Sequence, residues 1–176
     1  MNEIRLNPEA RTRRAVVTGI AASLGALVAR PAAAQEPMKE KPANPAHAAL
    51  TAIHYEIEFK APPQRIYSVL LDARQFAAFT GMAADIEARP GGAFTLFGGL
   101  IAGRNIELVE NQRIVQAWRP SSWAAGIYSI AHFELKAQGS DTLLVFDHIG
   151  FPAGLYDHLD AGWQGHYWEP LRKYLA

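Results

Sequence analysis

Two histidines near the C-terminal end are where side-chain chemistry is concentrated, His148 and His166. His148 closes the run Thr142 to Ile149, in which Leu144, Phe146 and His148 alternate with Leu143, Val145, Asp147 and Ile149. Successive strand residues point to opposite faces, so Asp147 and His148 cannot form a dyad. His166 lies in Gly162-Trp163-Gln164-Gly165-His166-Tyr167-Trp168 and is placed to approach His148. Two imidazoles still need a third protein ligand to hold a metal. Asp157, His158 and Asp160 supply ligand types, but at a helix start, where acids serve caps and the dipole. No metal site is expected. The chain lacks cysteine, and no serine stands in a Gly-x-Ser-x-Gly context, so no nucleophile is assigned either. Gly91-Gly92 and Gly98-Gly99 lead into strands rather than helices, unlike a phosphate loop. No catalytic residue and no cofactor is therefore expected. An aromatic set remains. All four tryptophans fall in two stretches, 114–123 and 162–168. Clustered Trp marks a core or the wall of an apolar pocket, since each ring buries about 150–250 Å².

The elements that must hold these residues follow from periodicity. Ile53, Tyr55, Ile57 and Phe59 alternate with His54, Glu56 and Glu58, a half-buried strand. Pro62-Pro63 suit a helix's first turn, followed by Ile66, Val69, Leu70 and Ala73 at helical spacing. A second short helical piece, residues 74–79, stops at Gly81. Short strands come next: 93–97, one near Asn105, 114–118, 128–137 and 142–149, where Asn105 and Glu107 face either solvent or a cavity. Their tight connections make neighbours antiparallel. A last helix runs from near Leu155 to Tyr174, with Leu159, Trp163, Tyr167, Leu171 and Tyr174 as its apolar stripe and Trp168 off it. Gly162 and Gly165 weaken it by about 1 kcal/mol each relative to Ala. They serve either a close approach to the sheet or room for a ligand. Pro170 cannot donate to the His166 carbonyl and predicts a kink. The pattern is α+β.

At 176 residues the chain is one domain with an extension. Its 17 basic and 17 acidic side chains cancel, which argues against a nucleic-acid partner. Residues 1–34 read as an export signal. Arg5, Arg11, Arg13 and Arg14 precede the uncharged run Ala15 to Ala29, then Arg30-Pro31 and Ala32-Ala33-Ala34. That run is shorter than the roughly 20 residues a spanning helix needs. Ala-x-Ala is the small-residue pattern of a cleavage site, and Arg13-Arg14 before a mild apolar segment resembles the twin-arginine signal. The alternative is a general secretory signal; either gives a periplasmic or secreted product. Five basic and two acidic residues leave with the leader, so the mature chain carries 12 against 15, net −3. Residues 35–50, with Pro37, Pro42 and Pro45, read as a flexible tether, and 51–176 as the domain.

Several ordered segments carry a family resemblance. They are Ala78-Phe79-Thr80, Gly91-Gly92-Ala93-Phe94, Gly99-Leu100-Ile101-Ala102-Gly103, Ile114 to Trp123 with Gly126, Gly150-Phe151-Pro152 and Gly162 to Trp168. From about Ile53 to Leu175 the chain resembles the C-terminal domain of the activator of the heat-shock-protein-90 ATPase, a branch of the START-like (SRPBCC) superfamily. The resemblance implies a helix-grip fold, a curved antiparallel sheet around the C-terminal helix, with a cavity between them. It places the Leu144 side of the last strand, and so His148, toward that cavity. The expected pocket comprises Phe79, Phe94, Trp118, Trp123, Phe146, Trp163 and Tyr167, with His148 orienting and His166 as a second polar group. The expected ligand is a small hydrophobic molecule or lipid, bound without catalysis. Two alternatives remain: a protein-docking module of the chaperone-activator kind, and a cyclase- or hydrolase-like enzyme. The chain lacks the family's separate N-terminal domain, which tells against co-chaperone action.

Overall fold

The computed structural model describes residues 44–176. The expected leader and residues 35–43 of the expected tether lie outside the described residues. Seven strands form a single antiparallel sheet in the order β1-β7-β6-β5-β4-β3-β2. They are β1 (Ala52–Phe59), β2 (Asp85–Ile86), β3 (Ala93–Leu96), β4 (Ile101–Val109), β5 (Arg113–Pro120), β6 (Ser129–Gln138) and β7 (Asp141–Ile149). The two-residue β2 is too short to carry a period and was not expected. The sheet is curved and holds a long C-terminal helix, as a helix-grip fold does. The alternation of β7 emerges as read: Leu144, Phe146 and His148 are buried, while Asp147 faces out and meets His54 across the strand at 2.7 Å.

Two helices follow β1. In α1 (Pro63–Leu71), Ile66, Val69 and Leu70 face the core. Asp72 ends it and caps α2 (Ala73–Thr80) by accepting from the Gln75 amide at 2.8 Å. The two helices emerge as read, and one carboxylate marks their junction, because a side-chain acceptor satisfies an amide that would otherwise be orphaned. Gly81, at φ 72°, closes α2 in the left-handed conformation that glycine adopts without a steric cost.

The C-terminal helix is α3 (Tyr156–Gly162), then a π-helical stretch (Trp163–Trp168), then α4 (Glu169–Leu175). Gly162, Trp163, Trp168 and Glu169 all keep right-handed helical dihedrals. Pro170 falls in the first turn of α4. A wider turn bonds each carbonyl to the amide five residues on, so it tolerates a missing donor at the fourth. The same widening corrects the expected stripe. Trp168, expected off the buried face, is fully buried and stacks on Trp163 at 5.4 Å between ring centroids. Its indole Nε1 has no hydrogen-bond partner among the described residues.

The last residues of the expected tether are docked instead. Pro45–His47 form a 3-10 turn capped by Asn44. The Asn44 amide donates to Asp157 at 2.8 Å, and His47 Nδ1 meets the same carboxylate at 2.6 Å. A proline-rich composition gave no hint of this anchor, because its partner lies on α3, 110 residues away.

Candidate functional site

The C-terminal helix does not lie flush on the sheet along its whole length. Between its first half and the start of β4 with the end of β5 is an open cleft of about 410 Å³. The helix contributes His158, Leu159, Gly162, Trp163, His166 and Tyr167, and the strands contribute Ile101, Trp118 and Pro120. Met82, Phe97, Leu100, Ser121 and Ser122 complete it from loops. The volume is ordinary for a small-molecule site, which runs from about 300 to 1,000 Å³. Polar side chains cluster at the rim, where His158, His166, Ser121 and Ser122 are exposed. No carboxylate lines the cleft among the described residues.

Gly162 decides between the two roles read for it. A Cβ there would meet nothing within 4 Å, so it serves room rather than close approach, and the same holds for Gly165. The glycine that permits close approach is Gly103 in β4, where a Cβ would collide with the Ala117 carbonyl and the Phe94 ring. Phe97 at the cleft has φ 53°, a left-handed conformation that is a genuine outlier for a bulky residue. Its ring is held by Phe76 at 5.3 Å and by Tyr167 at 6.2 Å.

Behind the cleft runs a buried polar chain. Asn105, fully buried, donates to the Glu87 carbonyl at 2.8 Å and accepts from Gln116 at 2.9 Å. A β-bulge after Asn105 separates its fate from that of Glu107, which is exposed and pairs with Arg113. Gln116 Oε1 accepts from the Trp118 indole at 2.9 Å. On the other side, the Trp163 indole donates to His148 Nδ1 at 2.9 Å, and His148 Nε2 meets Ser129 Oγ at 2.6 Å. An indole N–H only donates, so Nδ1 is the acceptor and the proton resides on Nε2. Ser129 then passes its own proton toward the Trp118 carbonyl at 3.4 Å. Burial pushes the His148 pKa down to about 4, so the ring is neutral at ordinary pH.

The structure therefore divides the expected pocket set. Trp118, Trp163, His166 and Tyr167 line the cleft. Phe146 and His148 lie behind it, fully buried, and Phe79 and Phe94 pack in the core. Trp123 is half-buried in the β5–β6 loop, its carbonyl accepting from Arg119. His148 is corrected from a group facing the cavity to a buried support, because Trp163 stands between it and the cleft and takes its nitrogen. It does not meet His166, which stays exposed at the rim. His158 was missed as a lining residue, while Gly162, read as possible room for a ligand, lines the cleft. With His166 they recur every fourth residue, a ridge beside the Leu159–Trp163–Tyr167 stripe that helical spacing reveals. The loop residues Met82, Phe97, Leu100, Ser121 and Ser122 leave no such signal.

Residues 60–176 match the family model described as activator of Hsp90 ATPase homolog 1-like protein. The chain belongs to this family. An uncharacterized protein of Schizosaccharomyces pombe is 35% identical over 114 residues, covering 65% of this chain and 34% of its own length. The human activator of 90 kDa heat shock protein ATPase homolog 1 is 30% identical over 115 residues, with the same 65% and 34% coverage. The chain thus spans about a third of the curated relatives it matches. The crystal structure of an HSP90 activator from Plasmodium falciparum superposes with a TM-score of 0.66 at 23% identity. It covers 69% of this chain and 93% of that one, a likeness of fold.

Proposed function

We propose that the cleft receives a small hydrophobic molecule and that the family domain here works as a binding protein, exported after removal of a leader ending near Ala34. The cleft itself carries this reading. Its walls are aromatic and aliphatic, its polar groups lie at the rim, and both tryptophan N–H groups are satisfied from behind. The strained backbone of Phe97 supports it, since such outliers persist where surroundings over-determine them and cluster at ligand clamps. His148 is not available for acid–base work in the cleft, because both its nitrogens are engaged away from it.

The test fills the cleft. Gly162 has φ −63°, so a side chain there causes no backbone strain, and it projects into open space. A hydrophobic fluorescent probe should bind the wild type and quench Trp163 emission. Gly162→Phe should abolish binding while melting at the wild-type temperature or above. Equal binding by both proteins places the probe on the surface and ends the cleft reading. A protein-docking role of the chaperone-activator kind is the second reading. It is favoured by the named relatives and by Met82 and Leu100, 41% and 56% exposed beside the cleft.

A further inference from the structure

We infer that the cleft selects a flat ring system bearing a hydrogen-bonding oxygen at its inner edge, and that the Tyr167 hydroxyl recognises that oxygen. The inference rests on the ligand-binding reading above and names the class of ligand.

The ring preference comes from the cleft's aromatic wall. Trp118 and Trp163 approach to 4.7 Å between centroids at an interplanar angle of 32°, and both line the cleft. Neither ring is free to turn. Rotating Trp118 breaks its bond to Gln116, and rotating Trp163 breaks its bond to His148, each inside a buried network. A half-broken buried network costs more than an apolar one. The wall is therefore a preformed aromatic surface with no donor of its own to offer. A rigid ring meets it with little ordering cost, whereas a flexible acyl chain loses rotamer freedom for the same contact. Aromatic pairing adds to the area term for the ring alone.

The oxygen preference comes from a hydroxyl that no described residue pairs. Tyr167 is 2% exposed, yet its hydroxyl makes no hydrogen bond to any described residue. The unpartnered polar side-chain atoms sealed from solvent are Arg113 Nε and Trp168 Nε1 among the described residues. The Tyr167 hydroxyl is not sealed with them, and the open space that Tyr167 borders is the cleft. Aromatic rings pack on the Tyr167 ring: Phe76 at 5.6 Å, Phe79 at 5.8 Å and Trp163 at 4.8 Å between centroids. Burial raises its pKa well above the usual phenol range, so it stays a neutral hydroxyl, able to donate and to accept. A buried polar group without a partner is costly, and a ligand oxygen at hydrogen-bond distance removes that cost.

The experiment compares naphthol, naphthalene and decanol by quenching of tryptophan emission in the purified full chain and its Tyr167→Phe variant. Removing an unpaired hydroxyl leaves the fold intact, which a matching thermal melt verifies. Naphthol should bind the wild type and weaken about three- to tenfold in Tyr167→Phe, with naphthalene unchanged. Decanol should bind more weakly than either ring. If naphthol binds both proteins equally, the hydroxyl does not read the oxygen. If decanol matches the rings and Gly162→Phe abolishes all three, the cleft reading stands and the ring preference falls. If none of the three quenches, the cleft reading itself fails and this inference with it.

Discussion

Acidification should expose the cost of keeping His148 neutral. The ring is completely buried, accepts from the Trp163 indole and meets Ser129, and its pKa is about 4 in the folded protein. In the unfolded chain a histidine titrates near about 6.5. Between those values the unfolded chain takes up the extra proton and the folded one does not. His148 therefore withdraws nothing above about pH 6.5, and stability falls as pH drops toward 4. At about 1.4 kcal/mol per unit, the loss is about 2 kcal/mol by pH 5 and about 3 kcal/mol by pH 4, where it levels off. Asp141, held below the usual carboxylate range mainly by its hydrogen bond with Lys60, loses its contribution only at lower pH, outside this window. Urea melts of wild type and His148→Gln at several pH values provide the assay. The variant starts less stable, so the comparison is between slopes. A clearly shallower slope for His148→Gln is the expected result. Parallel slopes for the two proteins would refute the argument, since the proton would then be taken up elsewhere.

The other two expectations concern the helix face and the leader. Trp163→Ala and Trp168→Ala should each cost about 3–5 kcal/mol in denaturant melts, because both rings are buried and stacked on one another. Trp168→Phe should cost clearly less than Trp168→Ala, since it also deletes an N–H that has no partner among the described residues; a near-wild-type melt for Trp168→Ala would show that its ring is not in the core. For the export reading, N-terminal sequencing of envelope protein should begin at or near Gln35, and replacing Arg13 and Arg14 by Lys should block export by the twin-arginine route. Full-length protein with Met1 retained in the cytosol would end that reading.

Local pattern revealed what local physics controls. The alternation of β1 and β7, the turns between strands and the Leu159–Trp163–Tyr167 stripe were legible because each depends on neighbours within a few residues. What escaped depends on partners far along the chain. Alternation put His148 on the Leu144 side and the family resemblance turned that side to the cavity; neither gives the neighbour that covers the ring, and Trp163 covers it from 15 residues away. Asn105 offered solvent or cavity, and a bulge with Gln116 beneath it produced neither. The cleft loops were invisible for the same reason, since Phe97 and Ser121 carry no period. Trp168 was misplaced for a different cause: the α-helical period itself does not hold across Trp163–Trp168.

That lapse of period gives the C-terminal helix a change of phase. As far as Tyr167 its inward line serves the open end of the domain, where the cleft lies. The π stretch adds about one residue's rotation, and beyond it Trp168 and Leu171 serve the closed end. One continuous rod thus carries two vocabularies of side chain: small and rim-polar positions where Gly162 and His166 stand, large and sealed ones where Trp168 and Leu171 stand. The two sets touch where Trp163 stacks on Trp168, but rim positions such as Gly162 and His166 can change without displacing that stack. A single-residue deletion within 163–168 has no such freedom, because it would bring the two halves into one register and turn either Tyr167 or Trp168 toward water.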